Sequence, residues 1–277
     1  MPVLSVLWGL ALLTAVALSL SWSSSVSYGL AHNGMAQARL NALVEAGVNA
    51  AVDGLLDPKA ERRWRADGRP YKLEFDGTQL AIRVQDELGR IDLNQTDEAM
   101  LNGLLQSAGL DAQAAARLTD KIVDWRTATS LKHLNGAKDL DYAARETDYH
   151  PRNGPFQSID ELRLVMDMTP EIYARIAPAL TVHSGRQFVD PQLAPPQVLR
   201  ALPGMTAQSA EAAAAARASI DNRAAMAEGQ PLTVLRGRAF TIRTEFSDSS
   251  RTVVGDVAVR LTENPQQPYW VLSWTTR

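Results

Sequence analysis

The sequence predicts an α+β fold: one long N-terminal helix lies on a small antiparallel sheet, and a large, mostly α-helical domain is inserted in that sheet. Three observations lead there. Residues 1–22 are almost wholly apolar and 35–56 amphipathic, and the polar, uncharged stretch 23–34, with two glycines, joins them as the weak middle of one long helix that stops at Asp57-Pro58. Two segments of apolar/polar alternation lie between residues 71 and 85, and three more follow residue 239. The chain between them reads mainly as capped helices. A two-stranded hairpin is marginal alone, so the early pair and the late three are expected to share one sheet. The helical block is then an insertion rather than a second domain in series.

The elements follow in order. Residues 1–22 (MPVLSVLWGLALLTAVALSLSW) carry no charge, and the first charged residue is Arg39. About 20 apolar residues cross a hydrocarbon core of roughly 30 Å, so a membrane span is expected. No basic n-region precedes it and the run exceeds a signal-peptide core. It reads as an uncleaved anchor, or as a mature end whose basic leader lies outside this sequence. In residues 35–56, Leu40, Leu43, Val44, Gly47, Val48 and Ala51 recur at helical spacing. Asp57-Pro58 stops the helix, because a residue before proline avoids the α region. Residues 71–75 and 80–85 alternate around Asp76-Gly77, a hairpin dipeptide. Residues 86–94 (DELGRIDLN) form a turn-rich exit.

Thr96-Asp97 can cap a helix through Ser107, and Asp111 another through Arg126. An irregular, charged stretch follows at residues 127–155. Ser158-Ile159-Asp160-Glu161 has the form of a capping box opening a helix to Val165 or Met166. Thr169-Pro170 starts the next helix, with proline at its first position. A second helical hairpin turns at residues 202–205 (LPGM), and the alanine-rich run 211–218 continues it. Residues 240–246, 252–261 and 269–274 alternate as strands. The domain division is 1–34, the membrane half of the helix; 35–91, its amphipathic half and two strands; 92–235, the inserted helical domain; and 236–277, three strands.

Composition removes several chemistries. Among 277 residues there is no cysteine, which excludes disulfides, thiolate metal sites and cysteine nucleophiles. Four histidines fall into no metal-ligand or triad pattern; His133 and His150 read as surface or core residues. Asp86 and Glu87 are adjacent acids without a nucleophile. No phosphate loop, dinucleotide fingerprint or nucleophile elbow is present, so no enzyme is expected, with no catalytic or cofactor-binding residues. The hairpin at residues 202–205 has the shape of a helix-hairpin-helix turn. The helix after it (TAQSAEAAAAAR) has little positive charge and the net charge is −3, so no nucleic acid is expected. A membrane-anchored helix-hairpin-helix DNA-binding module is the alternative function. Asp139, Asp141, Glu146 and Asp148 place oxygen donors two apart in the irregular stretch, a spacing that suits Ca²⁺, and a loop this long needs something to fix it. Trp270 and Trp274, on one strand, read as core packing.

Four features together resemble the minor pseudopilin K family of type II secretion. They are the charge-free N-terminal helix, DELGRIDLN at residues 86–94, Asp124-Trp125, and the run Pro151-Arg152-Asn153-Gly154-Pro155-Phe156 with Ser158, Glu161-Leu162-Arg163-Leu164-Val165 and Met168. The resemblance implies a pilin-like fold: a long helix on an antiparallel sheet, carrying an inserted helical domain of helix-hairpin-helix or SAM-like units. It implies a non-enzymatic subunit that initiates or caps a short periplasmic fibre, the pseudopilus, which moves folded proteins through the outer membrane. It implies minor pseudopilins I and J, the major pseudopilin fibre and the inner membrane as partners, with the C-terminal bulk in the periplasm after a single membrane pass. Membrane and assembly contacts fall to Ser5, Trp8, Leu12, Leu43 and Val48. Related subunits carry Glu at position 5, where a carboxylate in hydrocarbon needs the next subunit's amine. Ser5 needs no such partner and suits a tip. Calcium in the inserted domain is also implied, with Asp139, Asp141 and Glu146 as ligands. Two departures bear on it: Arg126-Thr127-Ala128-Thr129 stand where relatives carry acids, and Asp167 stands where Gly precedes Met168.

Overall fold

The computed structural model describes the backbone of residues 2–145, 147–219, 235–248 and 251–277, with side chains except at 2, 5, 15–33, 214, 216–219 and 248. The first element, α1 (Pro2–Leu55), is one continuous helix. It ends one residue before the expected stop and just ahead of Asp57-Pro58. Its first half leaves Leu4, Leu7, Trp8, Leu12 and Leu13 exposed. Among the described residues no helix is long and apolar enough to cross a membrane. The expected span, residues 1–22, includes residues 15–22, whose side chains lie outside that description.

From Leu40 onward one stripe is buried: Leu40, Leu43, Val44, Val48, Ala51, Val52 and Leu55. These are the positions that the 3.6-residue period marks. Strands β1 (Asp67–Phe75) and β2 (Thr78–Asp86) form the expected hairpin. Asp76 and Gly77 have φ of 49° and 68°. Two successive left-handed residues make the turn whose twist matches the flanking strands.

The helical block follows. β3 (Ile91–Asp92) pairs in parallel with β4 (Leu180–Thr181), two residues each, a pairing too short to leave a periodic trace in the sequence. α2 (Glu98–Ser107) and α3 (Ala112–Arg126) begin at the caps named above: Asp97 accepts from Met100 N and Asp111 from Ala114 N, each at 2.8 Å. α4 (Asp139–Ala143) is a short helix inside the stretch expected to be irregular. Residues 159–164 form a 3-10 helix where an α-helix was expected. The Glu161 carboxylate accepts from Gln157 N at 2.9 Å and from the Arg152 guanidinium at 2.6 and 2.8 Å, so the reciprocal capping bond to Ser158 is not made. α5 (Pro170–Ile176) starts at Thr169, which accepts from Ile172 N, and α6 (Pro196–Ala201) and α7 (Ala207–Ser219) flank the turn at Gly204. A core of its own, with Ile91, Leu101, Leu104, Ile122, Trp125, Leu162, Ile176 and Leu199, fills the block.

β5 (Ala239–Asp248), β6 (Arg251–Leu261) and β7 (Tyr269–Thr276) complete an antiparallel sheet of order β1-β2-β5-β6-β7. β2 therefore hydrogen-bonds to β5, while residues 87–238 lie between them in sequence. A second core joins the α1 stripe to Leu80, Ile82 and Val84 of β2, Phe240, Ile242 and Phe246 of β5, and Val253, Val257 and Val259 of β6. The helix lies close on the sheet. A Cβ at Gly255 would meet Val44 at 2.5 Å, and one at Gly47 would collide with Thr244. Trp270 and Trp274 are 56% and 40% exposed, so the core-packing expectation for them is corrected. They stand on the edge strand β7, while α1 packs mainly over β5, β2 and β1.

Val48→Asp or Leu43→Asp places an unpaired carboxylate in this core. Each is expected to cost about 3–5 kcal/mol, read as a lowered thermal midpoint, whereas Ala42→Asp on the exposed face stays within about 0.5 kcal/mol.

Candidate functional site

Two sets of sequence motifs meet around the exit from β2 and the end of α3. The first is DELGRIDLN. Asp86 caps the turn that follows it, accepting from Leu88 N at 2.9 Å, and pairs with Arg238. Burial outweighs that pairing and pushes the Asp86 carboxyl up to about 6. Glu87 accepts from Thr241 Oγ1 at 2.7 Å and pairs with Arg90 at 3.2 Å. Gln85 Nε2 donates to Leu193 O at 2.8 Å. The adjacent acids thus fasten the helical block to β5 and carry no reactive partner. Asp92, also buried, accepts from Gly185 N (2.8 Å), Asn94 N (2.9 Å) and Ser184 Oγ (3.1 Å). Asn94 then reaches the second motif: its amide accepts from Phe156 N at 2.7 Å and donates to Phe156 O at 2.9 Å. One side chain thereby imitates a strand neighbour.

Asp124-Trp125 closes α3. The Asp124 side chain is fully buried and accepts from His133 N at 3.2 Å and His133 Nδ1 at 2.7 Å. That carboxylate holds the imidazole above its usual pKa. Gly136 crosses so closely that any Cβ there would strike Asp124 Oδ2. Asp120 takes the backbone N and side-chain amide of Asn135, both at 3.0 Å. Trp125 stacks on Phe156 with centroids 6.3 Å apart and meets Tyr142 at 5.7 Å. Lys138 is buried and its ammonium donates to Asp124 O, Thr127 O and Asn153 Oδ1. Arg126 donates to Thr96 O at 2.6 Å and to Leu93 O. Residues 127–155 are therefore tied at both ends and in the middle.

Two of the three expected calcium ligands, Asp139 and Asp141, are not gathered by this arrangement. The Asp141 carboxylate accepts from Lys132 Nζ at 2.7 Å and Lys138 N at 2.9 Å. The Asp139 carboxylate accepts from Asn153 Nδ2 at 3.2 Å. Glu146 lies outside the described residues. Among the described residues no three acidic or histidine side chains form a group that could hold a metal ion. As the side chains stand, Asp139 and Asp141 are committed to nitrogen donors and do not fit a shared metal centre. Leu43 and Val48 are buried against the sheet. Trp8 and Leu12 are exposed on α1, and the Ser5 side chain lies outside the described residues. The 202–205 hairpin offers Arg200 beside Ala201 and Pro203, and the Arg200 guanidinium bonds the carbonyl of its own helix at Pro196. Sequence reasoning quoted Asn94 and Asn153 within motifs without giving them work. Lys138 it did not single out, because no spacing rule marks a lysine whose partners are carbonyls.

Residues 80–185 match the family model of type II secretion system (T2SS) protein K, described as its first part. A type II secretion system protein K of Pseudomonas aeruginosa is 29% identical over 125 residues, covering 42% of this chain and 37% of that protein. Those of Pectobacterium carotovorum and Klebsiella pneumoniae are 33% identical over 134 residues and 28% over 139, covering 43% and 46% of this chain and 40% and 43% of theirs. The match thus spans about two fifths of the length of these relatives. Among solved structures, a chain in the crystal structure of the GspK-GspI-GspJ complex from the enterotoxigenic Escherichia coli type 2 secretion system aligns with a TM-score of 0.61. It is 18% identical and covers 88% of this chain and 99% of that one, a likeness of fold with mixed helix and antiparallel sheet. The resemblance read from the motifs is borne out, and the matched segment is the one in which they interlock.

Asn94→Ala removes both bonds to Phe156 and leaves two backbone groups unpaired, at an expected cost of about 2–3 kcal/mol in denaturant unfolding. The His133–Asp124 bond gives a pH signature. A raised folded pKa stabilises fully below the unfolded value near 6.5, and the gain is lost as pH rises through the folded pKa. The windows of Asp86, raised only to about 6, and of His183, lowered by burial, lie below it. The thermal midpoint is therefore expected to fall as pH rises above 6.5, and His133→Gln to flatten that fall.

Proposed function

We propose that this chain is a minor pseudopilin of a type II secretion system, a non-enzymatic subunit at the tip of the pseudopilus that helps to start or cap the fibre. The observation that carries the reading is the protein K match over residues 80–185, laid on the segment whose buried polar network is built from the same motifs. The fold likeness to a chain of the GspK-GspI-GspJ complex supports minor pseudopilins I and J as partners. The fold is then pilin-like, with α1 as its spine and the helical block as a head. The acids at residues 86–92 are spent on structure, which agrees with a subunit that binds rather than reacts.

In this reading the charge-free residues 1–22 anchor the chain once in the inner membrane and the remainder lies in the periplasm. The exposed apolar side chains of Leu4, Leu7, Trp8 and Leu12 are the surface that lipid or sister helices would cover. Ser5 removes the carboxylate that an interior subunit would pair with its neighbour, which suits a subunit with none above it.

The test is co-purification. The full chain, extracted in detergent with pseudopilins I and J of the same genome, is expected to run as one stoichiometric complex on size exclusion. A chain that elutes alone at micromolar concentrations of both partners overturns the tip reading.

A further inference from the structure

Lys138 sits in the middle of the long loop, directly before α4, and its side chain turns inward, 8% exposed. Its ammonium donates to Asp124 O at 2.5 Å, Thr127 O at 2.6 Å and Asn153 Oδ1 at 3.1 Å. An ammonium has three protons and no acceptor, so these three oxygens use its whole capacity. They lie 11 to 15 residues from it in sequence: in the last turn of α3, at Thr127 just after that helix, and at Asn153 near the far end of the loop. Two of them are carbonyls at a helix C-terminus, where the backbone dipole favours positive charge. Carbonyl and amide oxygens around one positive centre are also the donor class that a hard divalent ion takes. Asn153 completes the arrangement by holding Asp139 with its other amide atom, and it does so from a left-handed conformation, φ 50°.

We propose that the Lys138 ammonium serves as the built-in cation of this loop, doing by a side chain what the family resemblance assigns to calcium, so that residues 127–155 hold their shape without a metal ion. Three further facts fit. The Asp141 carboxylate, an expected ligand, is occupied by Lys132 and by the backbone N of Lys138 itself. Arg126, at the end of α3, delivers a second fixed cation to backbone oxygens, the carbonyls of Leu93 and Thr96. A divalent ion brought to the three oxygens would have to displace an ammonium already bonded to all of them, against like-charge repulsion.

The experiment uses the full chain in detergent and reads protease nicking within residues 127–155 together with the thermal midpoint. In wild type, both readouts are expected to be the same in EDTA and in millimolar CaCl₂. Lys138→Met, equal in length and uncharged, is expected to speed nicking of the loop about tenfold or more, as befits loss of charge-assisted bonds. Lys132→Met, a half-exposed neighbour, should change it little. Faster nicking of wild type in EDTA, or a calcium-dependent rise in its thermal midpoint, overturns the proposal. So does a Lys138→Met chain as protected as wild type. Should Lys138→Met fail to fold, the wild-type comparison in EDTA and calcium still decides between ammonium and metal.

Discussion

The pairing of β2 with β5 is the constraint on which the rest of the architecture depends. Neighbouring strands in a sheet stand about 4.8 Å apart. The chain that leaves β2 at Asp86 must therefore return, after residues 87–238, to a point one strand-spacing away, because Asp86 and Phe240 face each other in the register. Nothing in the sheet's own hydrogen bonds dictates how so long an excursion is oriented. That is supplied by polar groups at the seam: Asp86 with Arg238, Glu87 with Thr241 and Arg90, and Gln85 with Leu193. Buried acids are costly unless paired, and here each is paired across the boundary, which makes the seam specific where an apolar contact would only be adhesive.

The same economy recurs inside the helical block. Its hydrophobic core fixes α2, α3 and the segments around Leu162, Ile176 and Leu199, but residues 127–155 contribute few apolar anchors beyond Ala137 and Tyr142. The loop is ordered instead by side chains that answer backbone groups: Asp124 to His133, Asp120 to Asn135, Lys138 to two carbonyls, and Asn94 to both polar atoms of Phe156. Each such bond contributes modestly when made and costs more when one partner is removed. The likeness to protein K is concentrated where this network lies.

What could be read from the sequence follows from which interactions are local. The strands at 71–85 and after 239 and the caps Asp97 and Asp111 rest on periodicity or on a side chain bonding its own chain two or three residues on, and they stand where expected. The two-residue pairing of β3 with β4 is non-local and too short for a pattern. Where an α-helix was expected after Ser158 there is a 3-10 helix, and Glu161 bonds Arg152, nine residues away, rather than closing a capping box. Trp270 and Trp274 alternate like core residues, yet alternation cannot say which strand ends at an edge. For the site, the motifs located the right neighbourhood through Asp124, Asn94 and Asn153. Of the acids expected as metal ligands, Asp139 and Asp141 are committed to nitrogen donors, and the central lysine was invisible because carbonyl oxygens have no sequence.

The seating of α1 on the sheet also has a mechanical consequence. Val44 stands over Gly255 and Gly47 over Thr244, where there is no room for a further carbon. On the same face Gly255 is flanked by Val253 and Val257, and Thr244 by Ile242 and Phe246, all buried. A helix displaced along its axis by part of its 5.4 Å pitch would drive those contacts into branched and aromatic side chains. Helix and sheet are thus keyed like a shaft to its hub. A thrust or pull applied to the N-terminal end of α1 is delivered to the five strands without slippage, and through the seam at Asp86 to the helical block beyond.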